Sequence, residues 1–243
     1  MKSKLAAPVI AFMISLFGTA LLLRPMIVAA DSASGSISGQ VKFQGTPPKM
    51  THIDMSTDPN CAKAHAGSNT TQDVVAGSGG GLENVVVYVA DGLPAQAFQP
   101  PAQPAVFDQK GCTYSPHVLA MQANQKLDVV NDDKTTHNIH PMPENNREWN
   151  KTQPPGIPIE ETFAREEIAI PVKCNIHPWM HGYIAVFKHP FFAVTDQEGH
   201  FEIKNVPAGN YTIKAWQEKL GTQTQPVSLQ AGQSGTATFV FKQ

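Results

Sequence analysis

The sequence predicts an all-β protein, and three observations lead there. Its 18 Gly and 20 Pro are scattered along 243 residues and leave no stretch long enough for a helical bundle. Between them lie many short apolar runs bounded by turn-forming residues. Several runs alternate, as in Phe201-Glu202-Ile203 and Tyr211-Thr212-Ile213-Lys214-Ala215-Trp216, which puts apolar side chains on one face of a half-buried strand. With 16% charged and 41% hydrophobic residues, the chain has the composition of one or two folded domains rather than of a disordered segment.

In chain order, the first 30 residues read as a signal peptide. Lys2 and Lys4 precede an apolar run over residues 5–23, and Val28-Ala29-Ala30 offers the small residues that signal peptidase accepts. The competing reading is an uncleaved anchor, the only case in which membrane association is expected. Cleavage makes the protein exported, periplasmic or extracellular. The chain has a net charge of −2, and its first 30 residues carry three cations and no acid, so the remainder stands at −5. An acidic surface argues against nucleic acid as a partner.

Three cysteines follow, Cys61, Cys112 and Cys174. In an oxidising compartment an odd count suggests one disulfide and one cysteine otherwise employed. Cys61 and Cys112 sit in turn-like contexts without metal spacing, so a bridge between them is expected. The alternatives are two free thiols or a second metal site with His65 or His117.

Cys174 is different. It begins Cys174-Asn175-Ile176-His177-Pro178-Trp179-Met180-His181-Gly182, directly after the apolar strand Ile168-Ala169-Ile170-Pro171-Val172. Thiolate, imidazole and thioether thus share one short loop, and two histidines, one cysteine and an axial methionine form the donor set of a blue copper site. Zinc fits less well, because structural zinc sites usually avoid thioether. The second histidine is offered upstream, where Lys126-Leu127-Asp128-Val129-Val130 leads through turn-forming residues to His137-Asn138-Ile139-His140. His137 and His140 both qualify on spacing.

Together these two segments resemble the cupredoxins, and most of all the short-loop amicyanins. Their His-Asn-Val-His and Cys-x-x-His-Pro-x-Met-x-Gly patterns are matched at His137 to His140 and at Cys174 to Gly182. The resemblance implies one type 1 copper ion held by His137, Cys174, His177 and Met180 in a Greek-key β-sandwich over residues 82–189. It also implies an exposed His177 imidazole where redox partner proteins dock, with Pro178 and Trp179 around it. Trp179 reads equally as a docking aromatic or a lid, and His181 as an exposed polar residue rather than a fifth ligand. The long, proline-rich stretch between His140 and Cys174 departs from the family pattern and is expected over or beside the site.

The C-terminal part, residues 190–243, resembles the carboxypeptidase regulatory-like (transthyretin-like) β-sandwiches. Their Thr-Asp-x-x-Gly-x-Phe and Pro-x-Gly-x-Tyr-Thr patterns stand at Thr195 to Phe201 and Pro207 to Thr212. Asp196-Gln197-Glu198-Gly199 reads as a hairpin turn, with too few oxygens for calcium. Such domains commonly open with a strand like Gly35 to Phe43. The N-terminal segment 31–81 is therefore expected to pair with the C-terminal sandwich, the cupredoxin module being inserted between its strands.

The expected function is one-electron transfer, not catalysis: four protein donors leave no position open for a substrate, and no nucleophile–base pair, phosphate-cradling glycine motif or paired catalytic carboxylates are recognisable. The alternatives are copper storage or delivery, and a structural β-protein with a degenerate metal loop.

Overall fold

The computed structural model describes residues 34–65 and 69–243. The signal-peptide segment, residues 1–30, lies outside them. No helix among the described residues is long and apolar enough to cross a membrane.

Apart from one helical turn and a half, α1 (Pro59–Ala64), the architecture is β. Two sandwiches share the chain. The first packs the sheet β4-β3-β6-β9 (Tyr114–Ser115, Ala105–Gln109, Lys126–Asn131, Ile159–Thr162) on the sheet β5-β11-β10-β7-β8 (Val118–Gln122, His181–Phe187, Glu167–Lys173, His137–Pro141, Lys151–Gln153). Phe107, Leu127, Val129, Ile139, Ile170 and Ile184, all fully buried, fill the space between them. The second packs β13-β1-β16 (His200–Val206, Gly35–Gln44, Ser234–Lys242) on β12-β2-β14-β15 (Phe192–Val194, Val86–Asp91, Gly209–Gln217, Gly221–Leu229). Its core holds Ile37, Val41, Val87, Ile213, Phe239 and Phe241.

The pleat explains why these segments are strands. In β16 buried and exposed residues alternate without exception, because only every second side chain of a strand can face a core. β1 pairs antiparallel with β13 and parallel with β16, nine residues in register from Ser36↔Ser234 to Gln44↔Lys242. The N-terminal strand and the C-terminal strands thus close one sheet, with the first sandwich leaving and re-entering between them.

One strand lies elsewhere than the sequence suggested. β2, inside the segment 82–189 assigned to the copper module, pairs with β14 and β12 of the second sandwich. Val85, Val86 and Val87 are all fully buried, since β2 is covered on both faces. Such an apolar run does not declare which sheet it joins. Its outward face, with Val118, Ala185 and Phe187, forms a third apolar cluster at the seam between the sandwiches. There Tyr88 meets Phe187 at 5.0 Å and Tyr183 meets Trp216 at 5.2 Å. The turn at Asp196 also differs. Asp196 Oδ1 accepts from the N–H groups of Glu198 and His200, yet β12 and β13 lie in opposite sheets, so the turn is a corner between layers and not a hairpin.

Candidate metal centre

The ligand loop grows out of strand pairing. β10 runs antiparallel to β7, with Lys173 opposite His140, so the end of β10 and the start of β7 fall at the same rim of the sandwich. Cys174 follows β10 and β11 begins at His181. Between them the chain closes on itself, the Cys174 N–H donating to the Met180 carbonyl (3.1 Å) and the Met180 N–H to the His177 carbonyl (2.9 Å). That turn directs Cys174 and His177 inward and buries Met180 in the same cluster as Cys174.

His137, Cys174 and His177 converge there, their donor atoms all within 4.8 Å of one another. Nδ1 of His137 lies 3.0 Å from Nδ1 of His177, and Cys174 Sγ 3.8 Å from His177 Nδ1. All three residues are at most 3% exposed. His140 is not among them. It lies three positions along β7 from His137, its Nε2–H donating to Glu148 at 2.6 Å. The structure therefore brings His137, and not His140, to Cys174.

Each imidazole is held from behind by a carboxylate. His137 Nε2–H donates to Asp133 Oδ2 (2.8 Å) and His177 Nε2–H to Asp58 Oδ2 (3.1 Å). Protonation at Nε2 leaves both Nδ1 lone pairs facing the space beside Sγ, the arrangement by which outer carboxylates orient metal-binding histidines. Asp133 is itself fixed by the backbone N–H groups of Gly111 and Cys112, both at 2.7 Å. Asp58 caps α1, accepting from the N–H groups of Asn60 and Cys61, and takes a further bond from the Thr135 hydroxyl (2.9 Å). Sequence reading missed both carboxylates. The sequence placed the segment around Cys61 only in a turn-like context, and nothing local tied Asp58 to a histidine 119 residues away.

The disulfide joins Cys61 to Cys112 and leaves Cys174 as the free thiol, and it links these two supports. Cys61 Sγ lies 3.9 Å from His177 Nε2. Together with Asp58 and the Trp179 ring, 5.0 Å from the imidazole, it roofs the histidine. This corrects the expectation of an exposed imidazole: His177 is 3% exposed, because a segment from before the sandwich, pinned by the disulfide, lies over it. Trp179 acts as part of that lid, its indole N–H donating to the Cys112 carbonyl at 3.1 Å. The stretch between His140 and Cys174 does not cover the histidine. It adds β8 to β7 and β9 to β6, and meets the site from the side, where Asn150 Oδ1 accepts from Asn138 Nδ2.

The surroundings of the sulfur favour its anionic form over that of an ordinary thiol. Burial pushes the Cys174 thiol up, but His137 and the N–H groups of His177, Ile176 and Asn138 outweigh it and hold the pKa below the usual thiol value. Asn138 N–H reaches Sγ at 3.3 Å and the Asn138 side chain accepts from Asn175 N–H at 3.1 Å, so one residue ties β7 to the loop. Burial likewise disfavours a charged His137, yet Asp133 and then Cys174 raise its pKa to about 9. The lowered thiol and the raised imidazole favour charge separation between Cys174 and His137, and a cation entering the pocket takes the place of protons on these donors.

Residues 184–242 match the model of the carboxypeptidase regulatory-like domain family. No curated relative matches the chain in sequence. Among solved structures, it is similar to a purple cupredoxin from Nitrosopumilus maritimus, at 24% identity and TM-score 0.30, over 34% of this chain and 98% of that one. A reduced amicyanin variant aligns at 18% identity and TM-score 0.32, over 41% of this chain and 97% of that one. A copper-containing nitrite reductase from Thermus scotoductus aligns at 20% identity and TM-score 0.34, over 41% of this chain but only 26% of the reductase. The protein thus combines a carboxypeptidase regulatory-like segment with structural neighbours that are cupredoxins, in a fold made of β-sandwiches.

Proposed function

We propose that this is an exported type 1 copper protein that carries single electrons between redox partners and catalyses no reaction of its own. The observation that carries the proposal is the convergence of two imidazole Nδ1 atoms and the Cys174 sulfur in a buried pocket, each imidazole held by its own carboxylate. Thiolate with imidazole suits copper in both oxidation states, and the thioether of Met180 is the weak fourth donor of such sites. Copper so held supplies a one-electron couple. His137, Cys174 and His177 would bind it and Met180 would complete the set, while Asp58 and Asp133 orient the rings and the disulfide-pinned roof excludes water. An already rigid donor set keeps rearrangement small when the charge changes. Export is supported by the N-terminal segment and by the disulfide.

The roofed imidazole relocates the docking surface. A partner would meet Pro178 and the 47%-exposed Ile176 beside the loop, together with the thin cover over His177, and not the histidine itself. Retention behind a disulfide also gives storage some support, and redox behaviour separates the two readings. Adding Cu(II) to the full chain should give an intense visible thiolate-to-copper band and a reversible redox wave without loss of metal, and Cys174→Ser should abolish the band. A band that survives the substitution would sink the assignment, and metal loss on reduction would favour storage or delivery.

A further inference from the structure

A second group of metal-type donors meets where the two sandwiches touch, and it shares no residue with the proposed copper site. His117 lies between β4 and β5, His181 opens β11, Glu218 follows β14 of the other sandwich, and Asp73 precedes β2. The donor atoms of His117, His181 and Glu218 all lie within 4.8 Å of one another. His117 Nε2 is 2.6 Å from Glu218 Oε1, and Asp73 Oδ1 is 3.6 Å from His181 Nε2.

Two further features make this more than a cluster. His181 Nδ1–H donates to the Trp179 carbonyl at 3.2 Å, which leaves the Nε2 lone pair turned to Asp73, the way metal-binding imidazoles are usually preset. Glu218 is the sharper one. Its side chain is 2% exposed, and Oε2 has no hydrogen-bond partner among the described residues. A buried carboxylate oxygen left unpaired costs free energy that a cation would remove. The Tyr183 phenol is near enough that burial and then Glu218 raise its pKa to about 12, but it does not meet Oε2 in hydrogen-bond geometry. Lys219 Nζ, 3.4 Å from Asp73, sits on a half-exposed side chain that can swing aside.

We propose that His117, His181 and Glu218, with Asp73 as fourth donor, bind a divalent metal ion of the zinc class across the seam between the sandwiches. Imidazole and carboxylate without sulfur suit zinc, whereas the thiolate and thioether at Cys174 suit copper. Two carboxylates balance the dication. The two histidines come from the first sandwich and Glu218 from the second, so the ion would cross-link them.

The test is zinc(II) titration of the full chain, with cobalt(II) as spectroscopic probe and thermal unfolding as second readout. We expect a binding component with weak cobalt bands and no thiolate charge transfer, retained in Cys174→Ser, together with a zinc-dependent rise in Tm. Glu218→Gln and His181→Asn should weaken that component by about 100-fold or more, since losing an outer partner alone usually removes 10–100-fold, and should abolish the Tm rise. His181, a third exposed, carries the test if Glu218→Gln does not fold. Zinc binding and a Tm rise unchanged in both variants would overturn the proposal. So would zinc binding lost only in Cys174→Ser.

Discussion

The two sandwiches are built alike and filled differently. The second buries side chains that are almost all apolar, from Ile37 to Phe241, and its last strand, β16, alternates without exception. The first has an equally apolar middle, but at one rim it buries His137, Asn138, Cys174 and His177. Burying polar groups is unfavourable unless each finds a partner. The first sandwich meets that demand with two carboxylates, a disulfide and a bridging asparagine, most of them supplied from outside its own sheets. Burial alone makes a scaffold. A metal centre needs burial together with convergent, pre-oriented donors.

Four measurements would break or sharpen this contrast. The largest effect belongs to the scaffold: Phe241→Ala should lower stability by about 3–5 kcal/mol, seen as a shifted urea midpoint, while the thiolate-to-copper band keeps its intensity. Loss of the band with the core would mean that the two halves do not act separately. Next, replacing Cys61 and Cys112 together by Ala should remove about 2–4 kcal/mol, the usual contribution of a bridge. It should also speed copper extraction by a chelator, because the roof over His177 loses its pin. Unchanged extraction would dissociate the roof from retention.

Asp133→Asn, which leaves the second sandwich untouched, should cost about 10–100-fold in copper affinity by competition titration. An affinity equal to that of the unaltered chain would remove Asp133 from the design. The smallest effect concerns acid. Burial opposes the ionised Asp58, but Thr135, the N–H groups of Cys61 and Asn60, and His177 hold its pKa at about 2, below the usual 3.8. A depressed carboxylate contributes stability above 3.8 and loses it as pH falls towards 2. The metal-free chain should therefore lose stability over that window by more than Asp58→Asn does. Parallel pH profiles would show that the cap contributes nothing.

The closeness of Cys174, His177 and Met180 was legible because they lie within seven residues, and the structure buries all three in one turn. His137 and His140 were not separable by spacing. The structure separates them by placing one beside Cys174 and the other against Glu148. The reach of the roof was not legible at all: Asp58 and His177 are 119 positions apart, and no local pattern relates a helix cap to the loop that carries His177. Nor could the apolar run around Val86 announce its sheet.

By itself, then, the sequence determined what depends on neighbours along the chain: many of the strands through their apolar and alternating runs, the tight turn that holds Cys174, His177 and Met180 through its short spacing, and Cys174 as the cysteine left over from the disulfide. Tertiary structure alone decided which distant surfaces meet: β1 with β16, β2 with the second sandwich, Asp58 over His177, and Glu218 against His117. The reason is physical. Side-chain direction along a strand repeats locally, whereas hydrophobic burial is non-directional and leaves the choice of partner to the packing of the whole chain.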